Sequence, residues 1–216
     1  MQRREFEVLR EKMVKEQLIR RGIRDRRVLD AFSRVEREKF VPPDKQEYAY
    51  EDSPLYIGWG QTISQPYIVA LMTELLSLKG GERVLEIGAG SGYQSAILSH
   101  LGCVVYTVER IPQLAKKAEE ILSLLGYRVK VKIGDGTLGW EEFAPYDRII
   151  ITAASFSVPP PLIKQLKIGG KIVLPLGERL HQELTVIDKV SSTRVEKKAI
   201  CGCIFVPLVG KYGYKR

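Results

Sequence analysis

The sequence predicts an α/β protein built on a doubly wound, mostly parallel, seven-stranded sheet, Rossmann-like in plan, with an N-terminal helical segment. Three observations predict it. From residue 83 onward, apolar runs and helical patterns alternate strictly. The runs are rich in Val, Ile and Leu and nearly continuous, as befits parallel strands covered on both faces. The first of them, Val84-Leu-Glu-Ile-Gly-Ala-Gly-Ser-Gly92, ends in three glycines on alternate positions. Such a strand, loop and helix opening brings backbone close to a ligand.

Each element follows from its residues in turn. Phe6, Leu9, Met13, Val14 and Leu18 recur at near-helical spacing, so residues 1–21 read as an amphipathic helix that Gly22 ends. Asp25 caps a second, short helix with Val28, Leu29 and Phe32 on its apolar face. Residues 40–63 change character: Pro42, Pro43, Pro54, Gly58 and Gly60 stand among Tyr48, Tyr50, Tyr56 and Trp59. A long irregular stretch of this kind is a packed connection or, over 48–60, a lid. Residues 66–78 read as a helix with a wide buried face. Then come strand 83–87, helix 92–101, strand 103–108, helix 112–125, strand 129–133, strand 147–152, a short helix near 160–167 and strand 171–176. Two strand-like runs, 184–190 and 195–208, have no helix between them and predict an antiparallel pair closing one edge of the sheet. The expected organisation is one domain: a cover and substrate loop over 1–65, a cofactor-binding core over 66–176 and terminal strands over 177–216.

Composition narrows the function classes. With 216 residues, 44% hydrophobic and 28% charged, the chain can bury a core of ordinary size. No apolar stretch approaches the ~20 residues that cross a bilayer, and residues 1–10 mix charges without an apolar run, so a cytoplasmic protein is expected. Three cysteines, an odd number, read as reduced thiols. Cys201 and Cys203 share a strand face, but neither His100 nor His181 stands at ligand spacing from them, so no metal is expected. The net charge is +8, and residues 1–40 hold 13 Lys or Arg against 8 Asp or Glu. The acids interleave with the bases, as in Arg34-Val-Glu-Arg-Glu-Lys39, which suits a solvated helix face better than a nucleic-acid surface. A monomer without a nucleic-acid or membrane partner is expected.

The chemistry lies at three successive strand ends, each carrying an acid. Glu86 sits just before the glycines, where a positively charged ligand group suits it and a pyrophosphate does not. Gly88, Gly90 and Gly92 let backbone approach, and the helix opening at Gly92 offers N–H groups to a carboxylate. Glu109, ending the second strand, stands where a carboxylate grips ribose hydroxyls. Asp135, after the third strand, falls near an adenine amino group. With Ser91, Arg110, Ile111 and Gly136 beside them, these residues form the candidate site for S-adenosyl-L-methionine, and hence for methyl transfer. A nicotinamide dinucleotide is the alternative, but its Gly-x-Gly-x-x-Gly spacing is not met.

The segment after the fourth strand narrows the acceptor. Thr152-Ala-Ala-Ser-Phe156 lacks the Asn/Asp-Pro-Pro-aromatic run typical of enzymes that methylate base amines. No general base is evident, which suits a carboxylate acceptor already ionised at neutral pH.

Gly58-Trp-Gly-Gln-Thr-Ile-Ser-Gln-Pro66 precedes the third helix, and Val84–Tyr93, Tyr106-Thr-Val-Glu-Arg-Ile111, Gly134-Asp-Gly136, Ile150-Ile-Thr-Ala-Ala154, Gly169-Gly-Lys-Ile-Val-Leu-Pro175 and Phe205-Val-Pro-Leu208 follow it to the C-terminus. In these segments the chain resembles the protein-L-isoaspartate O-methyltransferase family, and Gly58–Pro66 is the specific part. The resemblance implies methylation of the α-carboxylate of L-isoaspartyl residues in damaged proteins, whose ester closes to a succinimide and hydrolyses partly to aspartate. It also implies that the last two strands exchange places relative to most methyltransferases of this class. It puts the active-site serine at Ser64 and the substrate slot at Gln61, Thr62, Ile63 and Val206. Where family members often carry His, this chain has Tyr67. A bland alternative for Ser64 is an N-cap of the helix opening at Pro66.

Overall fold

The computed structural model describes residues 3–178 and 180–215. Helix α1 (Arg3–Lys12) runs on into a π-wound segment, Met13–Ile19. That winding places Met13 and Leu18, five residues apart, both in the core. The helix expected over 1–21 is therefore present but widened (residues 1 and 2 lie outside the described residues). Gly22 ends it at φ +98°. Asp25 caps α2 (Arg26–Arg34), accepting from the Arg27 and Val28 amides.

The stretch 40–63 is more ordered than its prolines suggest. Two 3₁₀ turns, Arg37–Phe40 and Pro43–Tyr48, lead into a hairpin of β1 (Leu55–Gly58) and β2 (Gln61–Ile63). At its tip Trp59 stands at φ +52° between Gly58 and Gly60, which also have positive φ. A three-residue strand escapes periodicity, because it is shorter than one alternating pattern.

Next come α3 (Pro66–Leu75), β3 (Arg83–Ile87), α4 (Tyr93–His100), β4 (Val104–Glu109), α5 (Pro112–Leu124), β5 (Val129–Ile133), β6 (Tyr146–Ile151) and α6 (Pro160–Gln165). The chain closes with β7 (Leu166–Glu178), β8 (His181–Lys189) and β9 (Val195–Cys203). Seven strands form one sheet in the order β5-β4-β3-β6-β7-β8-β9. The pairs from β5 to β7 are parallel, while β8 and β9 are antiparallel additions at one edge. β8 lies between β7 and β9, so the terminal strands follow in chain order, as the resemblance implies.

Two boundaries move from expectation by five residues, each for a visible reason. β7 begins at Leu166 rather than 171, because Leu166 already pairs with Tyr146 across an irregular register. The Lys189 ammonium meets the Ile163 and Leu166 carbonyls at 2.7 Å and closes α6 there. β9 ends at Cys203 rather than 208. Beyond it the Ala154 amide donates to Val206 O at 2.8 Å and the Leu208 amide to Ala154 O at 2.7 Å. The C-terminal segment is thereby pulled across the carboxyl end of β6.

Alternate residues of each strand feed two cores. One face packs Val84, Val105 and Ile150 under the N-terminal helices and α3 to α5. The other packs Leu85, Tyr106, Tyr146 and Ile149 under α6 and the aromatics Trp140 and Phe143. No described helix is long and apolar enough to cross a membrane.

Candidate active site

A cleft of about 880 Å³, its open mouth included, lies at the carboxyl ends of β3, β4 and β6, under the β1–β2 hairpin. Its place is that of a small-molecule site in an open α/β sheet. The glycine loop forms the floor. Gly88, at φ +96°, has no room for a side chain, since a Cβ there would lie 2.5 Å from Thr152 Oγ1. The Gly88 amide donates to Val108 O at 2.8 Å and the Gly90 amide to Glu109 Oε2 at 3.0 Å. The Gly92 amide donates to Ala89 O at 2.8 Å and the Tyr93 amide to Ser91 Oγ at 3.3 Å. All four N–H groups are thus engaged within the protein, including those of Gly92 and Tyr93 at the helix opening, which was expected to offer donors to a ligand carboxylate.

Of the sequence-selected cofactor residues, Glu86, Gly88, Gly90, Ser91, Glu109, Arg110, Ile111 and Gly136 line the cleft, and Gly92 and Asp135 do not. Gly92 sits against α5, where a Cβ would stand 3.3 Å from Ala118 and Leu122, so its smallness serves close helix packing. Asp135 accepts from the Thr137 amide at 2.9 Å and hydroxyl at 2.7 Å, and from the Lys211 amide at 2.7 Å. Its carboxylate ties the C-terminal segment to β5. Nothing in its spacing from Glu109 could show this, because the partner lies 76 residues away.

Glu109 accepts from the Ile111 amide at 2.8 Å and from the Gly90 amide, one bond on each oxygen. Each oxygen keeps a further lone pair for a ligand hydroxyl. Glu86 is fully buried. One of its oxygens accepts from the Ser95 hydroxyl, and among the described residues the other is buried without a hydrogen-bond partner. Burial pushes its carboxyl up to about 7, against the lowering effect of the Ser95 and Thr107 hydroxyls beside it. An acceptor held this way, at the edge of a cleft, suits a cationic ligand group.

Gln61, Thr62, Ile63 and Ser64 form one wall, and Val206 with Pro207, Leu208 and Val209 another. The cap reading of Ser64 does not hold: the N-cap position of α3 is Gln65, and no side chain caps it. Pro66, at the first helical position, has no N–H to satisfy. Among the described residues the Ser64 hydroxyl has no hydrogen-bond partner. Sequence reasoning missed the back wall, made by Val69, Met72, Tyr93 and Gln94, and Thr152 and Ala153 beneath it. Val69 and Met72 belong to a helix so apolar all round that periodicity could not single out a ligand face.

A family model described as Protein-L-isoaspartate(D-aspartate) O-methyltransferase (PCMT) matches residues 9–213. A protein-L-isoaspartate O-methyltransferase of Geobacter metallireducens is 52% identical over 210 residues, which is 97% of each chain. That of Dictyoglomus thermophilum is 54% identical over 212 residues, 98% of this chain and 96% of its own. Among solved structures, a protein-L-isoaspartate O-methyltransferase superposes with a TM-score of 0.85 at 32% identity, covering 94% of this chain and 67% of its own. A putative Plasmodium falciparum enzyme of that description, in complex with S-adenosyl-L-homocysteine, gives 0.80 at 28% identity, over 92% of this chain and 97% of its own.

Proposed function

This chain belongs to the protein-L-isoaspartate(D-aspartate) O-methyltransferase family, and from that premise we propose how its cleft works. The reaction is transfer of a methyl group from S-adenosyl-L-methionine to the α-carboxylate of L-isoaspartyl residues in proteins. The ester then closes to a succinimide, whose hydrolysis returns part of the residue to aspartate.

One observation carries the assignment of roles. The unpartnered hydroxyl of Ser64 lines the same cleft as Glu86, the glycine loop and Glu109. The donor set fits the cofactor. The partnerless Glu86 oxygen stands for an amino-acid ammonium and Glu109 for ribose hydroxyls, with Ile111 and Gly136 at the nucleobase end. When bound, S-adenosyl-L-methionine supplies a methyl group on a sulfonium that departs as a neutral thioether. Gly88, Gly90 and Ser91 admit it closely to the backbone. Arg110 lines the same end.

On the acceptor side the work is positional. An isoaspartyl carboxylate is ionised at neutral pH and needs no base. Ser64 Oγ–H donates to one carboxylate oxygen and turns the other towards the methyl group. Gln61, Thr62 and Ile63 flank the side chain, and Val206 offers extended backbone to the peptide. Closing these walls excludes water, so the cationic donor and anionic acceptor attract more strongly than in solution. Three free cysteines support work in a reducing compartment, the cytoplasm. We read the chain as one domain acting as a monomer, a state sedimentation would check.

The test offers matched peptides, containing L-isoaspartate or L-aspartate, with methyl-labelled cofactor. Base-labile label on the isoaspartyl peptide alone is the expected result. Equal labelling of both peptides overturns the assignment.

A further inference from the structure

Arg37 is fully buried, yet among the described residues it has no carboxylate partner. Its Nε donates to Ala49 O and its Nη2 to Ser64 O, both at 2.7 Å. Its guanidinium carbon lies 4.9 Å from the centre of the Tyr93 ring. Among the described residues Nη1 is buried without a hydrogen-bond partner. The adjacent acid, Glu38, does not neutralise it, being taken by the Tyr50 hydroxyl and by Arg10. A buried cation lacking a counter-ion is a costly feature in any fold. Burial lowers its pKa to about 10, which still leaves it charged at neutral pH.

Its position gives it a use. Ser64 follows the three-residue strand β2, which pairs only with β1 and lies outside the main sheet. A lone two-stranded hairpin is a marginal support. Among the described residues, the hydrogen bond from Arg37 is the one that fixes Ser64 itself. Its other anchors are firm: the Ala49 carbonyl is in the core, and Tyr93, packed edge-on by Phe32 and Phe40, lines the back of the cleft.

We propose that Arg37 is a positioning residue of the methyl-transfer site, holding the Ser64 carbonyl and so the direction in which the Ser64 hydroxyl meets the acceptor carboxylate. The proposal rests on the reading of Ser64 given above. Lysine cannot replace the arginine here, since a single ammonium lacks the fork that spans two carbonyls while lying on a ring.

The test is a double-mutant cycle in the full chain with Arg37→Lys and Ser64→Ala. Turnover and KM are measured with an isoaspartyl peptide, and affinity for S-adenosyl-L-homocysteine by calorimetry. Arg37→Lys is expected to lower kcat 30- to 100-fold while homocysteine-cofactor affinity stays within twofold. On the Ser64→Ala background the same change is expected to lower kcat less than threefold. Arg37→Met, which removes the charge and keeps the apolar stem, is the second variant should the lysine protein not fold. It should show the same coupling. If Ser64→Ala alone leaves turnover intact, the reading of Ser64 fails and takes this proposal with it. If Ser64→Ala lowers turnover but Arg37 substitutions cost the same factor on both backgrounds, only the proposal fails, and Arg37 is merely structural.

Discussion

Thr73 fixes the direction in which Gln94 points. The Thr73 hydroxyl gives its one proton to Val69 O at 2.7 Å, so towards Gln94 it can only accept. Gln94 Nε2 supplies that bond at 3.1 Å, which turns the amide oxygen of Gln94 away from Thr73. Gln94 lines the cleft, as does Glu86. The β3–α4 end thus holds two acceptors suited to an ammonium. Gln94→Leu is expected to weaken S-adenosyl-L-homocysteine about tenfold or more, the worth of a hydrogen bond to a charged group. Methylthioadenosine, which lacks the amino-acid end, should bind as before. Thr73→Val, freeing the amide to turn over, should give a smaller loss with the same ligand pattern. Equal weakening of both ligands by Gln94→Leu would place its oxygen elsewhere.

Ser64→Ala separates orientation from folding. Because the hydroxyl caps nothing in α3, the melting temperature should move far less than the ~1 kcal/mol loss of a cap would produce. Turnover on an isoaspartyl peptide should fall by roughly 10- to 1,000-fold, as when one oriented donor is removed from a reacting oxygen. Calorimetry should find cofactor affinity unchanged. A marked drop in melting temperature with full residual turnover would return Ser64 to a structural role.

These residues also show where sequence was a sufficient guide and where it was not. The main sheet was legible because its strands are buried on both faces, so apolar runs mark them whatever their neighbours do. Glu109 and the Gly88–Ser91 loop were legible because local spacing sets their place at a strand end. Asp135 has the same local credentials, but Lys211, folded back from the C-terminus, takes one of its oxygens. Gln94 and Arg37 carried no signal, since one sits in an apolar helix face and the other in a charge-rich segment. Their meaning lies in contacts to Thr73, Ala49 and Ser64, across 12 to 27 residues of chain. The cap offered as the alternative for Ser64 fails because Pro66 is the first helical residue, which puts the cap position at Gln65.

Gly88→Ala tests how tightly the loop is built. The new methyl would meet Thr152 Oγ1 at 2.5 Å, at a φ of +96° that alanine rarely adopts. Thr152 in turn donates to Gly88 O at 2.7 Å, so it cannot retreat without losing that bond. A loss of at least ~2 kcal/mol on chemical unfolding is expected, from strain and clash together. Adding Thr152→Ala should recover part of it, leaving the backbone strain of about 1 kcal/mol. No recovery in the double variant would mean that the clash is not with Thr152.

Glu86 gives the cleft a pH dependence whose sign can be worked out. Its carboxyl is raised by burial from 4.5 to about 7, so between those values the folded chain binds more protons than the unfolded one. Its contribution to stability is full below pH 4.5 and declines as pH rises to about 7, by ~3 kcal/mol at most. Glu86→Gln should flatten that slope in urea titrations run from pH 5 to 7.5. A ligand ammonium beside the carboxylate reverses the preference, since an adjacent cation favours the ionised form. Binding of S-adenosyl-L-homocysteine near pH 6.5 should therefore expel a fraction of a proton. Calorimetry in buffers of different ionisation enthalpy reads this directly as a buffer-dependent heat. Affinity should rise with pH up to about 7 in the wild-type chain and lose that rise in Glu86→Gln. A wild-type binding heat independent of buffer would show that the ammonium lies away from Glu86, and the orientation of the cofactor in the cleft would then have to be reversed.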